Sequence, residues 1–274
     1  LIRKSVLWDL LEKYPDFRYF DSGNLTRTMQ DIYNQTRRPF VIVIDEWDCI
    51  FREFRQNKEA QEKYLDFLRD LLKDKACIHL AYMTGILPIK KYGTHSALNM
   101  FDEFSMINPG PLAPYVGFTE QEVESLCSRY KMDMDEVKAW YDGYSFSMAV
   151  SVYSPRSVVN SMLFGKIENY WNQTETFEAL QVYIDMNFDG LKDDVLSMIA
   201  GESIPVNTGS FTNDMTTFRT EDDVLTLLIH LGYLAYDSEN KTVKIPNHTQ
   251  RIAWWKRLCK SCSSGTLPAM EELR

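Results

Sequence analysis

Long apolar runs are missing from this 274-residue sequence. None approaches the roughly 20 residues that a helix needs to cross a bilayer, so no stretch reads as a transmembrane helix. An excess of basic residues is also missing. Lys and Arg total 30 against 39 Asp and Glu, a formal charge of −9, which argues against broad attraction to nucleic acid or anionic lipid. Cysteine is sparse: Cys49, Cys77, Cys127, Cys259 and Cys262 are an odd number spread through a large chain. That pattern suits a reducing, cytoplasmic compartment better than a disulfide framework. Cys259-x-x-Cys262 has zinc-ligand spacing, but no second pair follows it and it reads as two ordinary thiols. His79, His95, His230 and His248 show no ligand spacing either. With 12 Gly and 10 Pro, collagen-like and low-complexity classes are excluded. Leu1 to Ser5 carries neither an initiator Met nor the start of a signal peptide, so the sequence reads as cut from something longer. What is left is an ordinary globular composition, 45% hydrophobic and 25% charged, long enough for one large or two ordinary domains.

Hydrophobic spacing predicts helices over Ser5–Tyr14 and, after the cap residues Asp21 to Asn24, through about Gln35. A short extended piece, Phe17 to Phe20, is expected between them. Phe40-Val41-Ile42-Val43-Ile44 is apolar throughout, rich in β-branched residues and too short for a helix, which predicts a parallel strand buried on both faces. Tyr64, Leu65, Leu68, Leu71 and Leu72 make one face of an amphipathic helix, and Ile78 to Met83 reads as the next strand. The three form a strand–helix–strand unit with a right-handed crossover. Prolines 109, 111 and 114 mark a domain boundary, after which helical patterns prevail. Thr119–Glu122 and Asp133–Glu136 open helices, and others are expected at 157–163, 176–184 and 191–199. Thr220 and Asp223 cap a further helix, followed by a hairpin of Tyr233–Tyr236 and Thr242–Ile245, the order of a winged helix. Beyond Asn247 the periodicity lapses, and the tail is expected to be poorly ordered.

The chemistry concentrates where the first strand ends. Asp45-Glu46-Trp47-Asp48 follows five apolar residues directly, and the second strand ends in Thr84. Ligands bind beyond the carboxyl ends of such strands. In phosphoryl transfer one carboxylate there holds Mg²⁺ through water, and the next orients or deprotonates the attacking water. A hydroxyl on the neighbouring strand is placed to sense a terminal phosphate. Elsewhere, Trp140 to Phe146 is an aromatic cluster at a helix end, which favours core packing over base stacking. Arg251, Lys256, Arg257 and Lys260 beside Trp254 and Trp255 have the look of a small nucleic-acid or membrane patch.

On five segments the chain resembles the bacterial AAA-ATPase-like family of P-loop NTPases, whose members often carry a PD-(D/E)XK nuclease-like domain. They are FVIVIDEWDCIFREF from Phe40, YMTGILPIKKYGTHSALNMFDEFSM from Tyr82, GFTEQEV from Gly117, WYDGYSF from Trp140 and DDVLTLLIHLGYLAYD from Asp222. The resemblance implies an α/β fold: part of a P-loop parallel-sheet core over 1–112, a helical lid over 113–200, a winged-helix-like module over 201–247 and a divergent tail over 248–274. It implies Asp45 and Glu46 as a Walker B pair, with Asp45 the Mg²⁺ ligand. Thr84 takes a sensor position, and Lys90 and Lys91 lie close enough to meet phosphate.

Family members also carry a Gly-Lys-Ser/Thr phosphate loop near their start, and no G-x-x-x-x-G-K-[ST] occurs here. The chain is therefore expected to begin after that loop and, alone, to hydrolyse no ATP. Ser154-Pro155-Arg156-Ser157 departs from the family's Asn-Pro-aromatic-Ser, and no nuclease core follows; Glu239-Asn240-Lys241 has that spacing only by chance. Two functions compete at this point. One is an ATPase using ATP and Mg²⁺ in the intact parent. The other is a nucleotide-dependent switch or scaffold that binds a protein or DNA partner, with DNA disfavoured by the negative charge.

Overall fold

The computed structural model describes residues 2–54, 56–86, 98–146, 150–171, 183–185, 187–209, 211 and 218–261, and its packing separates residues 1–103 from residues 104–274. In the first unit, α1 (Ile2–Lys13) leaves no side chain fully buried and rests on the core through Leu7 and Leu10. Helix α2 (Leu25–Thr36) starts where the Asn24 side chain accepts the Arg27 N–H, satisfying one of the donors a helix start leaves unpaired. The expected extended piece at Phe17–Phe20 is not a strand. It is tied to α2 instead, Phe20 N–H donating to Asp31 Oδ2 at 2.8 Å and Gln35 Nε2 to the Arg18 carbonyl at 3.0 Å.

Strand β1 (Phe40–Ile44), the short helix α3 (Cys49–Glu53), helix α4 (Lys58–Leu72) and strand β2 (Ile78–Met83) follow. The two strands pair in parallel, with Ile42 opposite Ala81 and Ile44 opposite Met83. Helix α4 is capped by Asn57 and buries Leu65, Leu68, Leu71 and Leu72. At roughly 1.5–3 kcal/mol per buried leucine, an upper bound of about 6–12 kcal/mol fixes that helix. Leu71 and Leu72 meet Ile42, Ile44, Ala81 and Met83 on one face of the strand pair. The other face corrects the expectation of a strand buried on both sides: Val41, Val43, Leu80 and Tyr82 are each at least half exposed. A continuous apolar run records what each side chain would tolerate, and both faces carried apolar residues although α4 reaches only one.

In the second unit, β3 (Phe118–Thr119), α5 (Glu120–Tyr130), α6 (Met134–Tyr141), β4 (Tyr144–Phe146) and β5 (Val150–Tyr153) come first. Helix α5 opens on a capping box, Thr119 with Glu122, and α6 on Asp133, whose side chain accepts the Glu136 N–H. The strands form an antiparallel sheet in the order β3-β5-β4, inside a stretch whose spacing predicted mostly helix. Helix α7 (Pro155–Phe164) closes a core of Val123, Cys127, Val137, Tyr141, Tyr153, Val158 and Met162. Helix α8 (Leu191–Ile199), strand β6 (Ile204–Pro205), helix α9 (Glu221–His230) and strands β7 (Ala235–Asp237) and β8 (Thr242–Lys244) follow; β6 and β7 both pair antiparallel with β8. Helix α9 is buried from Asp223 to Ile229. Instead of a loose tail after Asn247, helix α10 (His248–Ser261) continues and buries Trp254, Trp255 and Leu258. Most of the helix expected at 176–184, and residues 262–274, lie outside the described residues. Among the described residues no helix is long and apolar enough to cross a membrane.

Candidate active site

The strand pairing runs on beyond Ile44 and Met83. Thr84 N–H donates to the Ile44 carbonyl at 2.9 Å, and Trp47 N–H donates back to the Thr84 carbonyl at 2.9 Å. Asp45 and Thr84 are thereby held side by side past the carboxyl ends of β1 and β2. The Thr84 hydroxyl donates to Asp45 Oδ1, which also accepts the Glu46 N–H at 3.0 Å. Asp45 Oδ2 takes no hydrogen bond among the described residues, and the side chain stands in solvent.

Glu46 adopts φ 50°, a left-handed backbone that a residue with a Cβ enters at a cost. The turn sends its side chain away from Thr84 and toward α3. There Arg52 Nη2 lies 2.9 Å from Glu46 Oε2 and Arg52 Nε lies 3.3 Å from Asp48 Oδ2. Asp48 is fully buried and also accepts the Ile86 N–H at 3.2 Å. Trp47 is buried beside it, its ring 5.4 Å from Phe51. Gly85 packs so closely here that a Cβ would stand 2.5 Å from Trp47 Cδ1 and 2.8 Å from Asp48 Oδ1, so only glycine fits. Phe51 passes the contact on to Tyr64 of α4, whose hydroxyl burial pushes up to about 12. The loop after β1 is thus fastened by an aromatic stack and a buried acid, while Asp45 and Glu46 stay open to solvent.

Of the residues singled out from sequence, Asp45 and Thr84 come together, the Glu46 side chain pairs with Arg52 instead, and Lys90 and Lys91 lie outside the described residues. Arg52 and Asp48, the latter seen only as one of three carboxylates after the strand, were given no role from sequence, nor was Gly85. A signal existed for the first two: Arg52 follows Asp48 by four positions, the reach of a helical ion pair. Among the described residues no three His, Cys, Asp or Glu side chains converge on a metal-sized space. That donor set still fits Mg²⁺, which is commonly held by one or two carboxylates, with phosphate oxygens and waters completing its shell. The remaining candidates are structural. Tyr141 and Tyr144 are buried, Trp140 meets His248 edge-on at 4.7 Å, and Trp254 and Trp255 are core residues, not an open patch.

Residues 9–94 match the family model described as AAA-ATPase-like, predicted AAA-ATPase. The AAA-ATPase-like match spans β1, α4, β2 and every residue of the candidate site. The chain is also similar to an uncharacterized protein in the vnfD 5′ region of Azotobacter chroococcum mcd 1, 30% identical over 144 residues. The similarity covers 50% of this chain and 27% of that protein, so the chain spans well under two thirds of the relative it matches. No solved structure matches the chain significantly.

Proposed function

We propose that this chain carries the carboxylate pair of an AAA-like ATP hydrolase. The observation behind the reading is the assembly of Asp45, Glu46 and Thr84 at the carboxyl ends of two neighbouring parallel strands. Glu46 takes the proton of the attacking water, and its carboxylate is exposed to solvent. Asp45 holds Mg²⁺, which when bound offsets the charge of the phosphates. Thr84, already bonded to Asp45, is the hydroxyl that registers the terminal phosphate. Lys90 or Lys91 supplies a cation for the phosphates. Gripping the phosphates takes a cradle of N–H groups and a lysine, and no G-x-x-x-x-G-K-[ST] motif occurs in this sequence. Residues 113–200 act as a lid, and α9 with the β7–β8 hairpin forms a winged-helix-like module for protein contacts. The module's helix opens with Glu221, Asp222 and a buried Asp223, so its first turn offers no cation to nucleic-acid phosphates.

The test is steady-state ATP turnover by the natural full-length polypeptide. Glu46→Gln should lower kcat by roughly 10²- to 10⁴-fold, the scale for losing a general base. Asp45→Asn should move the Mg²⁺ requirement to higher concentration. Turnover unchanged by Glu46→Gln would overturn the assignment.

A further inference from the structure

The two adjacent acids of the site are turned apart, and the device that parts them is visible. Asp45 leans to Thr84 across the strand pair, whereas Glu46, through its left-handed backbone, is paired with Arg52 one short helix away. Arg52 is not a loose surface cation. Only a fifth of its side chain is exposed, and its Nε sits on the fully buried Asp48. Asp48 is in turn held by the Ile86 N–H, immediately after Gly85 and two residues beyond Thr84. A guanidinium is a planar fork whose separate N–H groups can engage two carboxylates at once, which an ammonium does poorly. The chain Ile86–Asp48–Arg52–Glu46 therefore ties the orientation of the proposed base to the end of the neighbouring strand.

We propose that Arg52 is a positioning residue that holds Glu46 in a resting orientation, with Asp48 as its anchor. The proposal rests on the reading of Glu46 as general base. While Oε2 is engaged by Arg52 it is a poor acceptor for a water proton, so hydrolysis requires Glu46 to leave the guanidinium and swing toward the space beyond Asp45 and Thr84. Thr84 directly follows strand β2 and leads through Gly85 to Ile86, so a displacement of Thr84 by a terminal phosphate pulls on Asp48 and loosens Arg52. Occupancy of the site and release of the base are thus linked through three consecutive residues, Thr84, Gly85 and Ile86. Arg52 acts through Glu46, so its effect falls on turnover and not on ATP affinity.

The measurement is kcat and KM for ATP in the full-length polypeptide carrying Arg52→Gln, Arg52→Lys, Glu46→Gln and the Arg52→Gln/Glu46→Gln pair. A partly exposed ion pair is worth about 0.2–1 kcal/mol. Arg52→Gln should therefore raise basal kcat by about 1.4- to 5-fold with KM unchanged. The gain should vanish in the double variant, because the released group is then no longer a base. Arg52→Gln also leaves buried Asp48 without its cation and can fail to fold. Arg52→Lys keeps a charge on Asp48 but loses the fork, and it should show a smaller rise. If Glu46→Gln leaves turnover intact, the base assignment falls and the latch with it. If Glu46→Gln abolishes turnover while the folded Arg52 variants show equal or lower kcat, the latch alone is refuted.

Discussion

Replacing Gly143 by alanine should cost the second unit about 2–6 kcal/mol. Gly143 sits in the WYDGYSF segment at φ 122°, where an L residue is strained by about 1–3 kcal/mol. A Cβ there would also lie 1.9 Å from the Pro246 carbonyl oxygen and 2.5 Å from its carbon. That carbonyl cannot step aside. Pro246 lies between β8 and α10, and the next residue caps α10, Asn247 Oδ1 accepting the Gln250 N–H at 3.0 Å. Thr249 Oγ1 pins the same turn to the Trp140 carbonyl at 2.8 Å. Overpacking against fixed backbone adds about 1–3 kcal/mol more. For a unit of this size each kcal/mol is worth roughly 2–4 °C, so Tm should fall by about 4–24 °C. Gly165→Ala is the control: φ is 61° but nothing lies within 4 Å, so only the left-handed backbone is penalised, by about 1 kcal/mol. Calorimetry on both variants decides the matter. Equal losses from Gly143→Ala and Gly165→Ala would mean that the approach of Pro246 is not as described.

Two further predictions concern pH. Burial lowers the His230 pKa from 6.5 to about 4, so the unfolded chain takes up a proton that the folded chain refuses. Stability should fall between pH 6.5 and 4 by up to about 3 kcal/mol, and denaturant melts of His230→Gln should lack that share of the loss; identical losses would refute it. Glu221 is shifted the opposite way, to about 7, first by burial and then by Asp194, Asp189 and Asp222. Its protonated form suits the fold below pH 4.5 and is lost as pH rises through 7, so Glu221→Gln should melt higher than the natural chain at pH 8. That advantage should shrink toward pH 4.5, and a constant difference across this range would count against the carboxylate cluster.

The positions of Asp45 and Thr84 at neighbouring strand ends were legible in the sequence, because each follows an apolar run. Five apolar residues followed by Asp45-Glu46, then Thr84 after the next apolar run, were enough to place three side chains. Sequence does not carry direction, so Glu46 turning away from Asp45 toward Arg52 was invisible: it depends on a single left-handed φ and on where α3 presents its guanidinium. The capping residues Asn57, Thr119 and Asp133 act locally, and each helix they open begins where their chemistry says. Strands β3, β4 and β5, two to four residues each, are too short to show alternation, and aromatic density around Tyr144 hid them, whereas the β7–β8 hairpin announced itself through its polar turn. Helix α10 was missed because Trp254, Trp255 and Leu258 are buried among basic neighbours, which gave the segment the look of a surface patch.

The central claim is that Glu46 is the base of an ATP-hydrolysing site, and the most direct measurement is the nucleotide left in it. Full-length polypeptide, natural or Glu46→Gln, is incubated with Mg²⁺ and ATP, stripped of free nucleotide, denatured, and the bound nucleotide separated by chromatography. The natural protein should yield ADP and the Glu46→Gln variant unhydrolysed ATP. ADP from both would show that the proton of the attacking water goes elsewhere, and the assignment of Glu46 would fail.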